Sequence, residues 1–396
     1  MAGNEDVLYK RTKTNLKRKI FVVVLIVLLL SFAWLWFVRA QSVKRNGTER
    51  QNVLIYAPAR SGSSFLGQIF NQHEDVFYLY EPLYIYTILN KLRVMSSSQL
   101  QNDSLTLLRD CFQCNFTSHE LYLYFISNPG YSSTLFRESS KAMSTRPLCR
   151  YQEKLKSWDG EKDKAQIMCE NRLEAKMTSS VCRQHKQVTV KVLSHRIKFS
   201  EILKLASSMK NLKIIHLLRD PRAIIASRLR LGWISKPHAT FKIQEFCNRL
   251  NNDLQFVKIL RKSNISRNYV IVRYEDLVAN VLPVVRNIFK ATGLDSTVDL
   301  EKWLVENTSW SGSINTLEPF RTSRRNALKT ANFWRKNISM TVVRKVEKNC
   351  RLAMKEAGYR EVEDIHELRK ETSSLLVRPS DGINEFLLQQ LHSNTP

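Results

Sequence analysis

The chain is expected to fold as an α/β sandwich of three layers built on a central parallel sheet. Three observations predict it. Short runs rich in β-branched and aromatic residues recur at 53–57, 76–80, 188–193, 213–218 and 269–273. They are continuously apolar rather than alternating, which suits strands covered on both faces. Helical patterns lie between or after them at 63–70, 201–209, 223–229, 241–262 and 284–292, the last stopped by Gly293. Strand and helix alternating in this way give parallel strands joined by crossover helices.

The 396 residues, 43% of them hydrophobic and 25% charged, suffice for one large domain or two small ones and exclude disorder throughout. Lys and Arg number 62 against 36 Asp and Glu, a formal charge of +26 that points to polyanionic partners: nucleic acid, a membrane surface, acidic glycans or phosphorylated cofactors. Charge alone does not choose among them.

Residues 20–38, IFVVVLIVLLLSFAWLWFV, hold no charge and are bounded by Arg18, Lys19 and Arg39, a length that spans a bilayer as a helix. A cleaved signal peptide would have a shorter apolar region ending in small residues. Trp34, Trp36 and Phe37 close this one, so an uncleaved signal anchor is expected. Lys10, Arg11, Lys13, Lys17, Arg18 and Lys19 precede it against Glu5 and Asp6, which keeps 1–19 cytoplasmic and places the remainder in the lumen or outside the cell. Residues 39–51 read as a short polar stem, 52–361 as a single folded domain, and 362–396 as a peripheral tail. Seven basic and two acidic residues lie in 1–39, so the rest still carries +21.

Six Asn-X-Ser/Thr sequons, at Asn46, Asn102, Asn115, Asn264, Asn307 and Asn337, follow the apolar span, where glycosylation is open to them. Seven cysteines, at 111, 114, 149, 169, 182, 247 and 350, share that compartment, and their odd number leaves at least one unpaired or bonded between chains. Cys111 and Cys114 have no second CxxC, so zinc is not expected; they are a structural disulfide or two unrelated thiols. Residues 90–187 hold five of the cysteines and break the strand-helix rhythm, as a large insertion between strands.

The strand at 53–57 runs through Pro58 into Ala59, Arg60, Ser61, Gly62, Ser63, Ser64 and Phe65 and then an amphipathic helix, the layout of a phosphate cradle. Gly62 lets the backbone approach an anion, and the helix start adds amide donors and positive potential. Set against GxxxxGK[ST], the segment has Ala57 for the first glycine and Ser63 for the lysine, so it is P-loop-like without being an NTP-hydrolysing loop. Its cation is Arg60, placed to meet a phosphate or the oxygen bridging phosphorus and sulfur. A bare Gly-Ser-Ser would be an ordinary helix cap; the arginine directly after a buried strand is what points to an anion.

A second strand end, at 213–218, leads into Arg219, Asp220, Pro221 and Arg222, with Pro221 suited to a helix start. Arg219 and Ser227, two turns into the helix, can converge on one anionic group, with Arg222 and Arg228 adding charge. The bland reading makes Asp220 an N-cap and leaves the arginines solvated.

Together the motifs RSGSSF at 60–65 and RDPRAIIASR at 219–228 resemble those of the Golgi carbohydrate 6-O-sulfotransferases, which modify galactose, N-acetylglucosamine or N-acetylgalactosamine. FNQHEDVFYLYEPLY at 70–84, VRYEDL at 272–277 and RNALKTANFWR at 325–335 are similar too, so the likeness covers about residues 52–360 and looks nearest to the keratan sulfate galactose type. It implies that Ala59, Arg60, Ser61, Gly62, Ser63, Ser64 and Phe65 bind the 5′-phosphosulfate of 3′-phosphoadenosine 5′-phosphosulfate (PAPS). It implies that Arg219, Asp220, Pro221, Arg222, Ala223, Ile224, Ile225, Ala226 and Ser227 hold the 3′-phosphate, chiefly through Arg219 and Ser227. Lys329 and Arg335 are expected to close over the nucleotide, and the 90–187 insertion to carry acceptor recognition. VRYEDL is expected to be structural, with Arg273 and Glu275 paired and Asp276 a cap.

The reaction so implied transfers a sulfuryl group to the 6-hydroxyl of a galactose or N-acetylhexosamine in keratan- or chondroitin-type chains, leaving PAP (3′-phosphoadenosine 5′-phosphate). It requires positioning, positive charge over the leaving phosphate and a base, but no metal. Glu81, ending the strand at 76–80 before Pro82, is the expected base, with a partner role to Arg60 as its alternative; His195 is the second choice, and His73 a helix-end residue. The implied address is the Golgi membrane, single-pass type II with the catalytic domain lumenal, without nucleic acid as partner and with homo-oligomerisation left open. Two rival functions remain: a P-loop kinase of a sugar or nucleotide, against which the missing Walker lysine weighs, and a tethered, non-catalytic binder of acidic glycans, for which two ordered motifs would be superfluous.

Overall fold

The computed structural model describes residues 31, 34, 50–128, 135–152, 168–260, 263–308, 327–370 and 373–387. The chain divides into compact units at 1–50 and 51–396. In the first only Ser31, Trp34 and Arg50 are described, the first two helical, so the expected span 20–38 otherwise lies outside the described residues. Among the described residues no helix is long and apolar enough to cross a membrane.

The second unit is built on five parallel strands, β1 (Gln51–Ala57), β2 (Val76–Tyr80), β3 (Gln187–Leu193), β4 (Leu212–Leu218) and β5 (Tyr269–Arg273). Their order across the sheet is β2, β3, β1, β4, β5. Every expected strand is present. Val53, Leu54, Ile55, Tyr56 and Ala57 are wholly buried, as a central strand covered on both faces must be. Their side chains alternate: Val53, Ile55 and Ala57 join one core and Leu54 and Tyr56 the other. The first core is covered by helices α1 (Ser63–Gln72), α7 (Tyr274–Ala279) and α8 (Val281–Thr292). The second is covered by α2 (Ser97–Phe112), α3 (Ala175–Gln184), α4 (Phe199–Ser208), α5 (Pro221–Arg230), α6 (Ala239–Leu260) and α10 (Met340–Ala357). The result is the three-layer sandwich. From β1 the chain moves toward β2 and from β4 toward β5, so the connections diverge between β1 and β4, where parallel α/β sheets open a ligand crevice.

The segment 90–187 lies between β2 and β3, yet it is part of the sandwich: Leu107, Leu108 and Phe112 of α2 and Val181 of α3 enter the second core. Disulfides Cys114–Cys182 and Cys149–Cys169 tie it together, and Cys247–Cys350 joins α6 to α10. Cys111 is a buried free thiol while Cys114 is bonded to Cys182, so the CxxC pair is neither a disulfide of its own nor two thiols.

The described part of 362–396, up to Leu387, departs from the expected peripheral tail. Ile383, Phe386 and Leu387 are buried, and the Ile271 N–H of β5 donates to Phe386 O (2.8 Å) with Leu387 paired parallel to Ile271. The apolar residues there are too sparse to show a period, but an unpaired sheet edge supplies their partner.

Candidate active site

The loop after β1 is shaped by two left-handed residues, Arg60 (φ 75°) and Gly62 (φ 95°), with Gly62 capping α1 and accepting from the Phe65 (3.0 Å) and Leu66 (3.2 Å) N–H groups. A Cβ at Gly62 would collide with the ring of Tyr274, so glycine is required by space as well as by φ. The Arg60 Nε–H donates to Ser227 Oγ at 3.1 Å, joining two motifs 167 positions apart in the chain. Arg219, leaving β4, donates to Arg60 O (3.0 Å) and to Ala331 O (3.3 Å) of α9 (Ala327–Asn332), with its guanidinium 4.6 Å from the ring centre of Tyr274. Arg228 donates to Ala59 O (3.3 and 3.0 Å) and lies over Phe246; burial and nearby Arg249 lower it to about 10. Three arginines thus converge on the loop, two of them by gripping its carbonyls.

Two polar atoms at this convergence are buried without a protein partner: Ser61 Oγ and Arg219 Nε. Buried polar groups are normally satisfied, and a hydroxyl and guanidinium N–H beside a helix start are the donors an oxyanion takes. The residues present therefore fit a phosphorylated nucleotide.

The remainder of the second motif divides differently from expectation. Asp220 caps α5, accepting from Arg222 N–H (2.9 Å), and its carboxylate holds the Arg222 guanidinium (3.0 and 2.7 Å), which also reaches Glu347 (2.9 Å). Arg222 is 0% exposed, and Pro221, Ala223, Ile224 and Ile225 are buried too. The first turns of α5 are buried on every side, so these side chains face the protein interior, as does Phe65 of α1. Arg219 and Ser227 are the members whose side chains reach the loop. Arg335 is also corrected: buried, it donates to the carbonyls of Leu368 (2.8 Å), Ser373 (3.0 Å), Glu367 (3.4 Å) and Lys370 (2.7 Å), clamping turns rather than covering a ligand. Lys329 is exposed on α9.

At the end of β2, Glu81 is also left-handed (φ 47°) and buried. Its carboxylate meets Lys191 Nζ (2.5 Å) and Arg196 Nη2 (2.8 Å), not the Arg60 partner that was its alternative role. Burial alone would raise its pKa, but these two cations hold it below the usual carboxylate value. Lys191 was missed in the sequence. It stands in the middle of β3, opposite Ile55 of β1 and Tyr80 of β2, and its Nζ also donates to Ser64 Oγ (3.3 Å) of the loop helix. The legible signal was one lysine inside an apolar run, since a charge buried on both faces requires a partner. His195, beyond β3, is pulled down to about 4 by lost hydration and by Arg196 and Arg228, so it is neutral at physiological pH. His73 caps the end of α1 and bonds Asp295 O (3.0 Å), a helix-end role. In VRYEDL the pairing is corrected: Arg273 binds Asp276 (2.5 Å), and Glu275 accepts from Asp220 N–H (3.0 Å) and Tyr359 Oη (2.9 Å).

Fold and loop together define an α/β protein that cradles an oxyanion at a strand-loop-helix turn, with cations outnumbering the carboxylate that faces them. The chain belongs to the sulfotransferase family: that family's profile matches residues 52–298. It is 30% identical to human carbohydrate sulfotransferase 6 over 86% of this chain and 88% of that protein. It is also 30% identical to human carbohydrate sulfotransferase 5, over 84% and 83%, and to zebrafish (Danio rerio) carbohydrate sulfotransferase 1, over 84% and 83%. Among solved structures, the sulfotransferase domain from the curacin biosynthetic pathway aligns over 76% of this chain and 98% of that domain, with 14% identity and a TM-score of 0.40.

Proposed function

We propose that this sulfotransferase moves the sulfuryl group of PAPS to the 6-hydroxyl of a galactose or N-acetylhexosamine in a glycan of keratan or chondroitin type, without a metal, as a lumenal type II enzyme of the Golgi membrane. The carbohydrate acceptor is supported by the names of relatives at about 30% identity, and the membrane address by the uncharged run at 20–38 with its basic N-terminal flank.

The observation that carries the site assignment is the Arg60–Ser227 hydrogen bond of 3.1 Å, which brings the 5′-phosphosulfate loop and the 3′-phosphate helix to one point. When bound, PAPS supplies an activated sulfuryl group on a phosphate that can leave. Ser61, Ser63, Ser64 and the first amides of α1 surround the phosphosulfate end, and Arg219 and Ser227 the 3′-phosphate. Arg60 and Lys191 place positive charge where the bridging oxygen gains negative charge, the kind of preorganised stabilisation that usually dominates such catalysis. The acceptor oxygen forms its bond to sulfur in line with the S–O bond that breaks, and its proton passes to Glu81. That carboxylate is kept ionised by Lys191 and Arg196, which makes it available as an acceptor while weakening it as a base.

The test is transfer of labelled sulfate from PAPS to a panel of keratan, chondroitin and N-acetylglucosamine-terminated acceptors, with retention on a 3′,5′-ADP resin measured in parallel. Arg60→Ala is expected to lower kcat by a factor of about 10²–10³, as loss of one transition-state donor does. Wild-type protein that transfers no sulfate to any glycan, yet is protected against unfolding by ATP, would overturn the reading.

A further inference from the structure

We infer that Arg196 takes an oxyanion of the acceptor glycan, a carboxylate or a sulfate ester near the hydroxyl that is sulfated, an inference that rests on the glycan-sulfotransferase reading above. Its place is fixed by the backbone at the carboxyl end of the sheet. The Ser194 N–H donates to Ala57 O (2.8 Å), the last residue of β1 before the loop, and the Arg196 N–H closes a turn onto Leu193 O (2.9 Å). Ile197 and Phe199 beyond it are buried, so the turn is held at both ends. Past β2 the Tyr84 N–H donates to Glu81 O (3.0 Å), a turn that keeps Glu81 and Tyr84 together. Arg196 meets both: Nη2 stands 2.8 Å from Glu81 Oε2, and the guanidinium carbon lies 4.4 Å from the centre of the Tyr84 ring. Tyr84 in turn stacks on Phe136 of the 90–187 insertion, with ring centres 4.8 Å apart.

Most of this guanidinium is unused. The side chain is 8% exposed, one nitrogen is paired with Glu81, and Nε and Nη1 are buried with no hydrogen-bond partner among the described residues. Leaving such donors unpaired is costly. Charge is unbalanced as well: Lys191 and Arg196 share a single carboxylate and all three side chains are buried, so the cluster keeps a positive surplus. Burial lowers the pKa of Arg196 despite the pull of Glu81, as expected for a cation incompletely matched. An entering oxyanion accepts from the N–H groups and neutralises the surplus; a hydroxyl does only the first. Lys191 reaches Ser64 Oγ (3.3 Å) as well as Glu81 Oε1, so its charge is turned to the phosphosulfate loop. Arg196 takes the other carboxylate oxygen. Proton transfer to Glu81, in line with the breaking S–O bond, brings the acceptor hydroxyl against that carboxylate from the side opposite the leaving phosphate. Arg196 is therefore the cation next to the acceptor, and its aromatic backing reaches into the insertion.

The experiment compares the full wild-type chain with Arg196→Gln and Arg196→Lys at about 0.2 M salt, where distant charges are largely screened. Three acceptors of matched length are used: an uncharged N-acetyllactosamine oligosaccharide, a sulfated keratan-type one, and a desulfated chondroitin one that bears carboxylates only. For an acceptor bound without turnover, its inhibition constant against one that is used replaces KM. In Arg196→Gln the KM of at least one anionic acceptor, relative to the uncharged one, is expected to rise about tenfold, or ~1.4 kcal/mol. Arg196→Lys, which keeps the charge and loses the planar fork, should fall between. A rise confined to the sulfated acceptor assigns the sulfate ester, and one confined to chondroitin the carboxylate. Either substitution also alters what Glu81 meets, but that change falls on kcat for every acceptor alike, so the KM ratio isolates the contact. PAPS KM and retention on 3′,5′-ADP resin are expected to stay at wild-type values. Equal KM changes for all three acceptors would overturn the inference. So would a raised PAPS KM with lost retention at unchanged Tm, which would assign Arg196 to the donor. Should Arg196→Gln melt below the assay temperature, the ratio in Arg196→Lys decides, a severalfold rise supporting the inference and no rise refuting it. Wild-type protein that transfers no sulfate sinks the underlying reading instead, so the two failures are separately visible.

Discussion

Lys191 shows what a single side chain settles at this site. It is 1% exposed in its side chain, in ion-pair contact with Glu81 and in hydrogen-bond reach of Ser64, so it links the expected base to the expected anion loop. Replacing it by methionine keeps the volume and removes the charge. Lys191→Met is expected to lower kcat by about two orders of magnitude, the scale for one lost charge-stabilising donor. Glu81 would then keep Arg196 alone, and with less positive charge beside it its pKa rises from the depressed wild-type position. The acid limb of the kcat/KM–pH profile should therefore move to higher pH; a limb that stays in place would remove Glu81 as the base. The loop arginine, the second motif and Glu81 were legible in the sequence because motif chemistry announces itself at strand ends. Lys191 was not singled out, because period counting treats a strand residue as part of its run. Which residues of 219–227 turn inward was also illegible, since it depends on the rotation of α5 against the sheet.

Among the elements, α6 and α10 pack together over the second core, joined by Cys247–Cys350. Asp253 of α6 is buried and accepts from Tyr56 Oη of β1 (3.0 Å); burial raises its carboxyl to about 7. A raised carboxyl binds its proton more tightly in the folded state than in the unfolded one. Folding stability from this group is therefore full below about pH 4, falls as pH rises toward 7, and is flat above. Asp253→Asn should remove that fall and leave the protein about 2–4 kcal/mol more stable than wild type at pH 8. Urea denaturation at pH 5 and pH 8 checks this, and an equal difference at both pH values would refute it. The strands were legible at this scale to within a residue or two, because continuous apolar runs of β-branched residues have few other fates. Helix starts shifted by a residue or two, as at 241–262, which begins at Ala239 and is described to Leu260.

Across the molecule, the charge beyond position 39 is +21, and Arg60, Lys191, Arg196, Arg219 and Arg228 gather around the loop. An anionic glycan would be drawn to such a surface from a distance, and salt would screen that attraction. Raising ionic strength from about 0.05 to 0.2 M is expected to increase KM for a sulfated acceptor severalfold while leaving KM for an uncharged oligosaccharide nearly constant. Equal effects on both would show that surface charge does not select the acceptor. Fold class was readable at this scale. The packing of the final described residues was not, because Phe386 and Leu387 gain their partners from β5, more than a hundred positions earlier.

That last contact also governs how the protein behaves when shortened. With Phe386 and Leu387 in place, β5 presents its Ile271 N–H inward to the chain's own backbone. A version cut before Ile383 would leave the Ile271 N–H bare on the edge of a hydrophobic strand, an invitation for another copy to add its own edge. Any dimer or aggregate seen with such a version would then report the cut, not the native molecule.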